Sequence, residues 1–302
     1  MSRGSKAVAL VFLCLAWGIN WVAIKVSLEG FPPMLGASCR FAIAVVPLYF
    51  YVKWKGVSLR MNGYQFKFLL IAAFLTYAVD YGLLFWAEQY LSAGVSSIFF
   101  STFVLFTAVF SNFVFKNEPF NKNQYLGLLV GLVGILLVFY DQIVNTRYDF
   151  YVIIASAAVL VAALGAAVGT VVVKKYLSKM NTVALSFHQM FMGTIILALI
   201  SLPFENVSQI HLNSRIVITM LYMGIVASAA AFLVYFKLLN QMSAISLSFI
   251  IYVIPIVALF ADYVIYGEVL SLRAFIGMVI IFLGIHLSMG KGKAKKQSAG
   301  SS

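Results

Sequence analysis

Residues 94–139 read GVSSIFFSTFVLFTAVFSNFVFKNEPFNKNQYLGLLVGLVGILLVF, and residues 244–289 read AISLSFIIYVIPIVALFADYVIYGEVLSLRAFIGMVIIFLGIHLSM. Shifted by 150 positions, the first stretch lies on the second without a gap. Ser96 meets Ser246, Phe99 meets Phe249, Phe110 meets Phe260, and Glu118 meets Glu268. Gly127 and Gly134 fall on Gly277 and Gly284, and the same shift carries Lys25 onto Lys175. Phe and Val matches are cheap in an apolar chain. A lone acid in the turn between two apolar runs, followed by two glycines, is not, so the chain reads as an internal duplication.

Working outward, the 302 residues are 63% hydrophobic and 10% charged, with a mean hydropathy of +1.00. Soluble domains carry roughly 25% charged residues, so this composition suits a bilayer. The formal charge of +12 is spread over short turns and chain ends, which excludes the concentrated basic face of a nucleic-acid binder. Cys14 and Cys39 lie inside apolar runs and read as packing residues. The basic start MSRGSK leads into an apolar run that continues past Trp21 with no small-residue cleavage site, so it reads as an uncleaved first helix. Residues 291–302 form a basic, Gly/Ser-rich tail expected to be disordered.

A membrane helix needs about 20 largely apolar residues. Ten such runs occur, at 7–27, 34–52, 68–91, 95–115, 124–140, 151–173, 183–202, 216–239, 245–266 and 273–289. Turn signals separate them, among them Gly30-Phe31-Pro32-Pro33, Asn117-Glu118-Pro119 and Gly267-Glu268. A membrane barrel would show period-two alternation instead. The expected fold is therefore all-α and integral to the membrane. With the N-terminus inside, 16 of the 21 Lys and Arg residues face the cytoplasm, three face outward, and Lys25 and Arg40 lie within helices. That bias places both termini in the cytoplasm.

Five helices per unit make the second copy enter from the opposite side. Residues 7–140 and 151–290 then form two inverted five-helix repeats, a design that gives two near-equivalent packings around a midplane site. This points to a carrier working by alternating access, in a cell (inner) membrane, with a small-molecule substrate.

The stretch Trp17-Gly18-Ile19-Asn20-Trp21-Val22-Ala23-Ile24-Lys25, with Gly30-Phe31-Pro32-Pro33 and Cys39-Arg40-Phe41 after it, resembles the opening of an EamA-type transporter of the drug/metabolite transporter superfamily. The two acidic turns with their trailing glycines resemble the ends of its repeats. The resemblance covers about residues 7–290. It implies ten helices, cytoplasmic termini, and a central cavity lined by the first, third and fourth helices of each repeat. It also implies export of amino acids or related small metabolites, and leaves open carriers of cationic amines and drugs or of sugar phosphates and nucleotide sugars. In the second repeat Ala167 and Thr170 stand where Trp17 and Asn20 would be, so the two halves of a cavity would be chemically unequal.

Ionisable groups at membrane depth are expensive and usually functional or paired. Asp80 is the deepest, flanked by Tyr77 and Tyr81, and reads as a proton or cation site or as a satisfied structural acid. Its counterpart at the shift of 150 is Ala230. Trp17, Asn20 and Trp21 share a helix face by their spacing and read as cavity wall. Ser101 and Tyr252 add polar groups to otherwise apolar helices and complete the candidate substrate-binding set. Lys25 with Glu88 reads as a structural ion pair, and Arg40 with Asp262 as a pair or gate across the repeats. Glu118 and Glu268 read as structural acids at helix starts. Gly127-x-x-x-Gly131 is a close-packing face that serves an intramolecular contact or a dimer equally well, so monomer and homodimer both stand.

An enzyme is not expected. His188, His211 and His286 are isolated, and the chain has no His-Glu-x-x-His, phosphate loop or nucleophile elbow. No metal or cofactor is called for, and the proton is the candidate coupling ion. Phosphorylated substrates fit poorly, since phosphates need fixed cationic partners and neither Lys25 nor Arg40 lies near mid-membrane.

Overall fold

In the computed structural model the described residues are 1–115, 122–138, 140–145, 147, 149–254, 256, 257, 260 and 271–289. Glu118, Pro119, Pro255, Asp262, Gly267, Glu268 and the basic tail lie outside them, and with them the expected Arg40–Asp262 pair. All regular structure among the described residues is helical. Ten apolar helices follow one another: α1 (Arg3–Leu28), α2 (Pro33–Trp54), α3 (Gly63–Ala87), α4 (Ala93–Val114), α5 (Lys122–Val138), α6 (Phe150–Leu177), α7 (Thr182–Ser201), α8 (Ser214–Leu239), α9 (Ala244–Ile254) and α10 (Leu272–Met289). Seven of them, α1–α4 and α6–α8, are long and apolar enough to cross a membrane. Over the described residues α5 and α9 are shorter than that, as is the apolar part of α10.

Helix ends are capped by short polar side chains, as backbone groups in an apolar medium require. Ser92 accepts from Val95 N, Asp149 from Val152 N and Asn213 from Ile216 N, while Asn62 and Gln65 form a reciprocal capping box at α3. The start of α2 has no side-chain cap of its own. Both carboxylate oxygens of Glu205 serve it from the α7–α8 loop, accepting from Met34 N and Leu35 N at 2.8 Å each. Around the outside, large apolar side chains such as Val8, Trp54, Phe113, Phe204 and Phe282 are exposed, a belt suited to lipid.

Three departures from ideal helix position the site. α3 widens into a π-helical segment over Phe74–Gly82, and α8 does the same over Tyr222–Ala230. α4 breaks at Ser101–Thr102, where both hydroxyls donate back to carbonyls three residues earlier, at 2.6 Å. Such back-bonding competes with the helical ladder and bends the helix.

Packing is reciprocal. α3 lies against α6, as α8 lies against α1, while α2 pairs with α7, α4 with α9, and α5 with α10. The α5–α10 seam is antiparallel and glycine-lined. A Cβ on Gly134 would come within 2.8 Å of the Gly277 carbonyl oxygen, and one on Gly277 within 2.7 Å of that of Gly134. Gly284 meets the Gly127 carbonyl in the same way. Gly127, the first glycine of the Gly127-x-x-x-Gly131 face, is thus occupied inside the chain, by α10.

Candidate functional site

One cavity lies among α1, α3, α4, α6, α8 and α9. From α1 come Trp17, Asn20 and Trp21, and from α3 come Thr76, Asp80, Tyr81 and Leu84. Ser97, Phe100 and Phe103 of α4 close the side beside Trp21, whose ring meets Phe100 edge-on at 5.8 Å. The facing wall is Ala166 and Thr170 of α6, Phe232 and Tyr235 of α8, and three isoleucines of α9. Its volume is about 90 Å³, well below the several hundred of a drug-sized site.

The π segment of α3 brings Thr76, Asp80 and Tyr81 to the wall together, a use of π-helix common at functional sites. Asp80 is 5% exposed, and its Oδ1 is buried without a hydrogen-bond partner. The Oδ1 of Asn20 is in the same condition. Trp17 offers its ring rather than its N–H: the indole nitrogen donates to the Ala227 carbonyl at 3.1 Å, in the π segment of α8. Its ring centroid lies 5.3 Å from Tyr235 and 5.7 Å from Phe232. The hydroxyls of Thr170 and Tyr235 hydrogen-bond to each other at 3.0 Å.

Trp17, Asn20, Trp21, Asp80 and Tyr81 are therefore brought together, while Tyr77, Ser101 and Tyr252 are not on this wall. Tyr77 is fully buried, its ring filling the space left by Gly193 of α7 and meeting Phe41 edge-on at 4.6 Å. Ser101 spends its hydroxyl on the Ile98 carbonyl at the bend of α4. Tyr252 fits over Gly131 and donates to the Leu128 carbonyl at 3.3 Å, which ties α9 to α5. Sequence reading missed Phe232, Tyr235, Phe100 and Phe103. Phe232 and Tyr235 are three apart on one helix face, a signal masked by the many other aromatics of the chain.

Arg40 lies beside the cavity but does not line it. The side chain is fully buried, and Nε and Nη2 donate to Ser228 Oγ at 3.1 and 2.9 Å. Its guanidinium sits 4.9 Å from the ring centroids of both Phe41 and Tyr81. The arginine thus reaches from α2 to α8. Lys25 and Glu88 do meet, though not as a simple ion pair: the ammonium donates to the backbone carbonyl of Glu88, and both carboxylate oxygens are buried without a hydrogen-bond partner. The π segments of α3 and α8 begin 148 positions apart, so Ser228 lies as far into the α8 segment as Asp80 lies into that of α3, two residues before Ala230 at the shift of 150.

A sequence profile of the EamA-like transporter family matches residues 5–140 and again residues 153–290. The chain belongs to the EamA-like transporter family. An uncharacterized transporter of Bacillus subtilis, YoaV, is 28% identical over 92% of this chain and 94% of its own length. A probable amino-acid metabolite efflux pump of Salmonella typhimurium is 25% identical over 96% of both chains. A solved crystal structure superposes with a TM-score of 0.81 at 17% identity, covering 95% of this chain and 97% of that one, which is a likeness of fold. This EamA-like chain is thus a multi-pass membrane protein of a transporter family.

Proposed function

We propose that the chain is a secondary active carrier of ten membrane helices, arranged as two inverted five-helix repeats (7–140 and 151–290) and exporting amino acids or related small metabolites by alternating access. The observation that carries this reading is the cavity where the first, third and fourth helices of both halves meet, with a buried aspartate in its wall whose Oδ1 has no hydrogen-bond partner. Reciprocal packing supports it: the first helix of each half lies on the third helix of the other, so tilting one half would open the cavity to one side and close it to the other. The excess of Lys and Arg at one set of loops supports cytoplasmic termini in a cell membrane. The printed name of the Salmonella relative supports the metabolite class.

In this mechanism Asp80 is the coupling group, binding a proton or the positive end of the substrate in turn. The test is counterflow in proteoliposomes loaded with a mixture of unlabelled amino acids and their amines. Saturable accumulation of labelled tracer is expected, abolished by dissipating the trans pool. Linear, non-saturating flux would indicate a channel and end the carrier reading.

A further inference from the structure

Among the described residues lining the cavity, Asp80 carries the one formal charge. Around it stand the rings of Trp17, Trp21, Tyr81, Phe100, Phe232 and Tyr235. The buried polar atoms left without a partner on this wall, Oδ1 of Asp80 and Oδ1 of Asn20, are both acceptors as placed. Several donors are already spent within the protein: the Trp17 indole on Ala227, the Ser97 hydroxyl on Gly94, and one of the Thr170 and Tyr235 hydroxyls on the other. The guanidinium of Arg40, which would suit a carboxylate, does not line the cavity: it is fully buried against the Tyr81 ring, with Nε and Nη2 on Ser228 and Nη1 without a partner.

We infer that the ligand of this cavity is a small organic cation, an amine with no carboxylate of its own, rather than a zwitterionic amino acid. The inference rests on the carrier reading and narrows its substrate class. An ammonium entering here meets a carboxylate and several aromatic faces, both of which attract cations. An α-amino acid would also have to place its carboxylate in this largely apolar wall, where no cationic side chain is among the described lining residues. Burying an unpaired anion is among the costliest moves in a protein interior. The small volume favours an amine of a few carbon atoms over a bulky drug.

Isoamylamine, leucine and 4-methylpentanoate share one branched aliphatic tail and differ in charge, so they isolate the question. Calorimetric titration of each into the purified protein at neutral pH is expected to show the amine binding at least about tenfold tighter than leucine, with no binding heat of either sign for the carboxylate. Asp80→Asn is expected to weaken the amine by about tenfold or more, and Asn20→Leu, a neutral change on the same wall, by severalfold. Leucine binding as tightly as the amine overturns the inference, as does an Asp80→Asn protein that keeps full affinity for the amine. Flux measured on the same preparation separates this from the carrier reading. An amine that binds but is never moved across proteoliposomes defeats the carrier reading alone. Leucine transported while the amine neither binds nor competes defeats the ligand class alone.

Discussion

The α5–α10 seam and the cavity wall obey opposite rules. At the seam, residues 150 apart do the same work on opposite helices: Gly134 meets Gly277 backbone to backbone, and Gly127 meets Gly284. On the wall, equivalent places hold different chemistry. Where α1 has Trp17 and Asn20, the shift of 150 gives Ala167 and Thr170 in α6, and Asp80 in the π segment of α3 is matched in α8 by Ala230, two residues from the Ser228 that holds Arg40. A Cβ on Gly134, Gly277 or Gly284 would come within 3 Å of the facing backbone, which leaves little freedom in residue type and keeps the seam symmetric. A wall around a ligand is constrained by the ligand, and a small polar ligand has unlike ends. The difference teaches that the duplicated scaffold sets where the cavity is, and the unequal halves set what it holds.

Breaking the symmetric region should have the largest effect. Gly134→Leu pushes a side chain onto the Gly277 carbonyl, where neither helix can yield, and overpacking of this kind costs about 1–3 kcal/mol or more. A clear fall in Tm, or loss of the monodisperse species in size-exclusion chromatography, is expected; a wild-type melting curve would show that the seam is not close-packed. Ser228→Ala comes next. It removes the hydroxyl that both Nε and Nη2 of Arg40 donate to, leaving a buried guanidinium to its aromatic neighbours, at about 1–3 kcal/mol. Differential scanning fluorimetry should register that loss, and an unchanged Tm would mean that Arg40 finds other partners.

On the unequal wall, Trp17→Ala should weaken apparent affinity for a cationic ligand by about 2- to 30-fold, the range of a single aromatic–cation contact. Transport saturation curves check this, and an unchanged half-saturation point for every transported solute would remove Trp17 from the wall. The smallest effect is expected from Tyr252→Phe, which gives up one long hydrogen bond to Leu128, worth roughly 0.5 kcal/mol, and leaves affinity as it was. A shift in affinity there would draw Tyr252 into the site.

Much of this was legible in the sequence, for a physical reason. Membrane helices announce themselves by run length, and Gly127-x-x-x-Gly131 read as a close-packing face, which Gly127 fulfils against Gly284. The face of α1 was legible because it is an ordinary α-helix, where Trp17, Asn20 and Trp21 share one side. α3 was less so. A π segment bonds i to i+5, which shifts side chains off the α-helical register, and Tyr77 packs onto Gly193 while Tyr81 keeps to the wall. Tyr252 was misleading because its partner, the α5 backbone exposed by Gly131, is a tertiary feature that no local pattern carries. The aromatic half contributed by Phe232 and Tyr235 was hidden for the opposite reason, being one aromatic pair among many.

The central claim is that Asp80, the one charged residue among the described residues lining the cavity, couples substrate to the driving ion. Asp80→Asn preserves shape and removes the charge. Reconstituted into proteoliposomes under an imposed pH gradient, it is expected to reach the membrane folded, to lose gradient-driven uptake, and to retain substrate exchange at zero gradient. An Asp80→Asn protein that transports at the wild-type rate with the wild-type pH dependence would contradict the account.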